Sequence, residues 1–169
     1  GLNKRIEWLL VDICEGLIVI ASFVLGWLYQ LNNKYIVGLN DVLSDRLKYI
    51  AQTMSTYNIK LWGQYIEEHG NGGSIIAKDN YFFIDNSFVR CMYEYGAIVF
   101  ALVIVLIFMA QKKMLDNEKY IMCLAFFIVT IASFAEHHLL EIAYNPFIFS
   151  VFACMSNNDK VIMEEKRIC

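Results

Sequence analysis

The residues able to do chemistry are unevenly placed. Arg46 stands in a polar stretch, residues 31–85, between two strongly apolar ones, and Asp85, Arg90, Glu94, Glu136, His137, His138 and Glu141 all sit at the ends of apolar runs. Such placement has a physical cause, because a charge at the centre of a bilayer costs about 2.5–3.5 kcal/mol on insertion scales and is driven to span ends or protein interiors. Carboxylates and imidazoles gathered there can move protons, and arginines can make charge-assisted hydrogen bonds. On a continuous helix Asn86, Arg90, Tyr93, Glu94 and Ala97 share one face, which predicts a polar stripe at the start of the second apolar run. Taken singly, the same residues read as interface anchors and helix-end ion pairs, Arg90 and Glu94 being one turn apart; their clustering on one side favours a site. Adjacent histidines on a helix point about 100° apart. His137 or His138 with Glu141 would give two metal ligands with no evident third, so no metal and no cofactor is expected. Asp12 and Glu15, at the other end of the first apolar run, read as structural.

The elements that must position these groups follow from hydropathy. Apolar residues make up 58% of the 169, aromatics 15%, there is one proline, and mean hydropathy is +0.46, values that belong to the membrane class. The net charge of −3 is weak and mixed, which argues against a nucleic-acid partner. The five cysteines are widely spaced without a CxxC pair, and three lie inside apolar runs, so they read as small hydrophobes. Four candidate membrane helices cover residues 8–30, 92–110, 120–135 and about 139–155; the last two are short for a hydrocarbon layer that takes about twenty residues to cross.

Basic residues orient the spans. Eight of the 14 lie in three short polar pieces (Lys4 and Arg5; Lys112, Lys113 and Lys119; Lys160, Lys166 and Arg167), against five in the long loop. Positive charge stays inside, so both termini and the short link are expected in the cytoplasm and the long loop outside. The predicted architecture is an all-α polytopic membrane protein of about four transmembrane helices with a long, partly helical external loop: residues 1–30 a lead-in and first span, 31–91 the loop, 92–169 three further spans and a cytoplasmic tail. The chain opens at Gly1 without an initiating methionine and reads as a piece of a longer protein. A cleavable signal peptide fits poorly, since the first apolar run is too long and no small-residue cleavage site follows.

Within the loop, Leu43, Leu47, Ile50, Ala51 and Met54 recur at helical spacing, Asn40 or Asp41 could cap that helix, and its apolar face is expected on the membrane surface. Gly70-Asn71-Gly72-Gly73 predicts a turn, Tyr81-Phe82-Phe83-Ile84 an apolar return, and Pro146 a kink or start in the fourth span. Trp62 and Tyr65 suit an interfacial belt better than a sugar platform.

Three short motifs in order resemble a known family: Leu43-Ser44-Asp45-Arg46-Leu47-Lys48-Tyr49, then Leu61-Trp62-Gly63, then Ile84-Asp85-Asn86-Ser87-Phe88-Val89-Arg90 leading to Glu94-Tyr95-Gly96. The region 40–99 is similar to the external loop of the O-antigen ligase and polysaccharide polymerase superfamily, with a small residue before a loop arginine, a glycine after a hydrophobic residue, and an asparagine ten positions before another glycine, here Asn86 and Gly96. Glu136 and Asn145-Pro146-Phe147 add weaker support. Asp85 stands where the ligases usually carry histidine, which favours the polymerase branch. The family has many more spans, so the chain resembles its C-terminal portion.

The resemblance implies a metal-independent inverting glycosyltransferase, a polysaccharide polymerase in capsule or exopolysaccharide biosynthesis. It would transfer a glycan from an undecaprenyl diphosphate donor to a lipid-linked acceptor at the outer face of the bacterial cytoplasmic membrane. Its partners would be undecaprenyl diphosphate-linked glycans, membrane lipid and other polysaccharide-assembly membrane proteins. Arg46 first and Arg90 second would bind the diphosphate. Asp85, Glu94 or Glu136 would be the base, the histidines being less suited. Gly63 and Gly96 would allow close backbone approach. The alternatives are a non-catalytic membrane module, such as a polysaccharide-export or transporter component, which predicts paired charges near the midplane, and a membrane-anchored sensor.

Overall fold

The computed structural model describes residues 2–69 and 81–141; their regular structure is helical, with irregular backbone over 57–68 and 83–86 and one isolated bridge between His69 and Phe82. Helix α1, Leu2–Gln30, is followed by two short helices, α2, Lys34–Val42, and α3, Arg46–Thr56. After the loop come α4, Ser87–Arg90, a π-helical turn at Cys91–Tyr95, then α5, Ala97–Asp116, α6, Tyr120–Ala132, and a 3-10 turn at His138–Leu140.

Among the described residues, two helices are long and apolar enough to cross a membrane: 22 residues at Leu9–Gln30 and 20 at Ala97–Asp116. Their outward faces support that reading. In α1 the exposed large side chains are Leu9, Leu10, Ile13, Leu17, Ile20, Val24 and Trp27, a helical stripe, whereas Glu15 and Ser22 are buried. Apolar outside and polar inside is the reverse of a water-facing helix, and such a face suits hydrocarbon. The same holds for α6, where Ile121, Leu124, Ile128 and Ile131 are exposed and Thr130 is buried.

Several expectations change. The third apolar run forms only the 13 residues of α6, short of a span on its own. The fourth begins in the 3-10 turn at its first residues, and positions beyond 141, Pro146 among them, lie outside the described residues, as does the turn predicted at residues 70–73. Helix α5 runs on to Asp116, so Lys112 and Lys113 belong to that helix rather than to a link. Glu15, read as structural, is fully buried and accepts a hydrogen bond from Gln111 Nε2 at 2.7 Å; the Cys123 thiol lies 3.0 Å from Gln111 Oε1. This acid and amide tie α1 to α5 and α6, where an unpaired polar group would cost more than the bond gains.

Helix α3 does not lay its apolar face on the membrane. Leu47, Ile50 and Ala51 are buried, packing with Phe82, Ile84, Val89 and Tyr93 and with partly buried Phe23 and Leu25 of α1. Gly26 permits this approach, since a Cβ there would strike Ile50. Burial against protein outweighs the surface position that periodicity alone suggests, because periodicity reports an apolar face without saying what covers it.

The candidate ionic site

Arg46 is presented by a strained turn. Ser44 and Asp45 both have positive φ, 52° and 65°, reversing the chain between α2 and α3. Asn40, 2% exposed, stabilises the reversal: its Nδ2 donates to Asp45 Oδ1 at 2.8 Å and its Oδ1 accepts from the Lys48 N–H at 2.9 Å. Asn40 thus satisfies one of the orphan amides of α3 in place of Asp45, the residue at the cap position, which makes no such bond. The first residue of α3 is Arg46.

From there the guanidinium reaches two distant segments. Its Nε lies 3.7 Å from Asp85 Oδ2, and its Nη2 donates to Glu136 Oε1 at 3.1 Å. Residues 46, 85 and 136, read separately in the sequence, meet. Asn86 and Ser87 hold the two acids there. The fully buried Asn86 caps α4 by accepting from the Phe88 and Val89 amides, and its Nδ2 donates to Ser22 Oγ of α1 and to the Phe134 carbonyl. Ser87 receives the Leu139 amide at 3.2 Å and donates its hydroxyl to the Glu136 carbonyl, joining the segment after α6 to α4.

Arg90 has a different situation. Its Nε donates to the Ile84 carbonyl at 3.0 Å, Nη1 to Glu94 at 3.0 Å and Nη2 to Glu68 at 2.6 Å, and its guanidinium carbon lies 4.8 Å from the centre of the Phe83 ring. At 11% side-chain exposure, with these bonds made, it serves to brace the segment. Glu94 is its partner in that brace. The predicted single polar face is therefore split: Asn86 points to α1 while Arg90 lies between Glu94 and Glu68, and the π-turn resets the helical register before Ala97. Glu68 was missed by sequence reasoning. It accepts both Arg90 and the Ile84 amide, and nothing in its local sequence distinguishes it from the exposed Glu67 beside it.

Gly63 and Gly96 approach each other. Both have positive φ, 79° and 98°, and a Cβ on either would collide with backbone of the other's segment. The contact lets loop carbonyls cap a helix that has no side-chain cap: Ala97 N–H donates to Lys60 O at 3.0 Å and Ile98 N–H to Leu61 O at 3.3 Å.

His137 and His138 follow a turn rather than lying in a helix, so the 100° separation does not apply; their ring centres are 4.0 Å apart. Glu136, His137 and His138 bring three potential metal-ligating atoms within 4.8 Å of one another, a third ligand that sequence reasoning did not see. Glu136 is already engaged by Arg46, and both imidazoles have a nitrogen near Glu141 Oε1, at 3.4 and 3.1 Å. Behind His137 a cavity of about 90 Å³, lined in part by Ser87, Arg90 and Glu141, holds room for a few waters.

Electrostatics distinguish the acids. Burial pushes the Asp85 carboxyl above the ordinary aspartate range; Arg46 pulls it down and Glu136 pushes it up. Burial chiefly, then His138 and Arg90, lowers His137, which favours its neutral form. A carboxyl group raised in this way can accept a proton, and the partly exposed Arg46 guanidinium can exchange a carboxylate for another anion.

The fold and site define an all-helical protein with two helices of membrane-spanning length and an ionic cluster near the start of α5 and the end of α6. Compared with family models, curated proteins and solved structures, the chain gives no match.

Proposed function

We propose that this chain is the C-terminal, site-bearing part of a polysaccharide polymerase in the bacterial cytoplasmic membrane. It is multi-pass, with loop 31–91 external and both chain ends cytoplasmic, and it elongates lipid-linked oligosaccharides. The observation that carries the reading is the meeting of Arg46 with Asp85 and Glu136 across separate segments, beside two helices of spanning length.

The reaction follows from that geometry. Arg46 releases its carboxylates to bind the diphosphate of the undecaprenyl donor through two parallel hydrogen bonds. Neutralised by the diphosphate, it no longer depresses Asp85, which becomes a stronger base at the moment of need. Asp85 takes the proton of the acceptor hydroxyl, that oxygen bonds to the anomeric carbon on the face opposite the leaving group, and the bond to the diphosphate oxygen breaks with its electron pair. Arg46 stabilises the departing charge. Glu136 helps hold Arg46 and can share the proton. Arg90, occupied with both Glu94 and Glu68, positions Asp85 and with those acids does not touch substrate. No metal enters this scheme. The transporter alternative expects paired charges within the spans; the buried polar link found there, Glu15 with Gln111, is an acid with an amide.

Full-length protein in proteoliposomes, given undecaprenyl diphosphate-linked repeat units, should produce lengthening polymer whose new linkages invert the donor's anomeric configuration. Retention of configuration, or substrate left unextended, refutes the proposal.

A further inference from the structure

The segment around Trp62 is rigidly held yet turned outward. Gln64 N–H donates to Glu94 O at 2.9 Å and Gln64 Nε2 to Asn58 O at 2.7 Å, while Lys60 O and Leu61 O take the first amides of α5. The two opposed glycines allow this close approach, since a Cβ on either would collide with backbone of the other's segment. Despite that fixation, Ile59, Leu61, Trp62 and Tyr65 are 52%, 63%, 84% and 86% exposed. A free loop would fold such side chains inward, but a clamped strap keeps them displayed, and an outward apolar group of this size marks a contact surface.

We propose that Leu61 and Trp62 are seated in the headgroup-to-acyl layer of the phospholipid bilayer, fixing the depth at which the loop and Arg46 stand. The inference rests on the reading that α1 and α5 cross the membrane. Its occupant is chosen by continuity: the strap is hydrogen-bonded to the first turn of α5, whose Ile98, Val99 and Leu102 are themselves exposed. The strap therefore lies at the level where a span starting at Ala97 leaves the hydrocarbon. Tryptophan prefers that level, its ring apolar and its N–H able to reach the wet side. Exposed Lys60 beside it can extend its ammonium to lipid phosphate.

The chain carries three tryptophans, Trp8, Trp27 and Trp62, which allows an internal control. Two single-tryptophan proteins, Trp8→Phe with Trp27→Phe and Trp8→Phe with Trp62→Phe, would be placed in phosphatidylcholine–phosphatidylglycerol vesicles brominated at shallow or at deep acyl positions. Trp62 should show blue-shifted emission and lose most of it to shallow bromine, less to deep. Trp27, 52% exposed on the outer face of α1, should also be quenched by bromolipid. Quenching of Trp27 alone overturns the proposal while leaving the spans intact; quenching of neither removes the membrane reading and the proposal with it. Protection of Trp62 from aqueous acrylamide by added oligosaccharide, without bromine quenching, would assign the strap to glycan stacking and equally overturn it.

Discussion

Replacing Arg46 with lysine keeps the charge and removes the fork. Arg46 uses two different nitrogens, Nε toward Asp85 and Nη2 toward Glu136, and a single ammonium does not reproduce that spread or take two diphosphate oxygens in parallel. The fold should tolerate the change. The three side chains are 29%, 21% and 46% exposed, and ion pairs at such sites contribute about 0.2–1 kcal/mol to stability. The reaction should not tolerate it. Losing a preorganised donor to developing negative charge costs about 2.7–4 kcal/mol, or about 10²–10³ in rate. The assay is polymer length on gels in cells expressing the full-length variant, with membrane protein level measured by immunoblot alongside. Short chains at normal protein level are expected; normal chain length at normal level would remove Arg46 from the mechanism.

The remaining expectations concern other parts of the account. Gly96→Ala places a Cβ at φ 98° against the Gly63 amide and Leu61 carbonyl, and backbone strain plus lost capping bonds should destabilise the protein by about 3–5 kcal/mol, read by thermal unfolding in detergent; a wild-type melting curve would discount the strap. Elongation should fall as pH drops through the raised value of Asp85, and Asp85→Asn should abolish it at every pH; elongation unchanged in that variant would remove Asp85 as the base. The sign for stability is opposite: with its folded pKa above its unfolded one, Asp85 favours the fold below the unfolded value and loses that contribution as pH rises through the folded one. Chelator should leave elongation by the purified protein unchanged, whereas loss restored by a divalent ion would assign Glu136, His137 and His138 to a metal.

What the sequence discloses is local. The two long helices follow from hydropathy alone, and Gly63 and Gly96 are legible as points of close backbone approach, whereas the capping role of Asn86 emerges only in the structure. The nearness of Asp85 and Glu136 is suggested by their common position at span ends, with Arg46 in the loop beside them, although which arginine meets which acid depends on packing. Arg90 lies closer to Asp85 in sequence yet turns to Glu68, a partner 22 residues away that no spacing rule indicates. The π-turn at Cys91–Tyr95 breaks the helical face on which the polar stripe was drawn, and the turn before His138 places two imidazoles together that a helix would separate. Helix α3 kept its period while its apolar face met α1 through Gly26, a contact visible only once both elements are placed.

The account depends on a loop arginine standing outside the membrane within reach of acids from distant segments. Cysteines substituted for Arg46 and Glu136 in a full-length protein otherwise free of cysteine, treated in sealed cells with a short impermeant reagent carrying two thiol-reactive electrophiles, test both halves of that statement at once. The bridged product should form in intact cells. Bridging only after permeabilisation, or in neither condition while each single cysteine reacts, would contradict it.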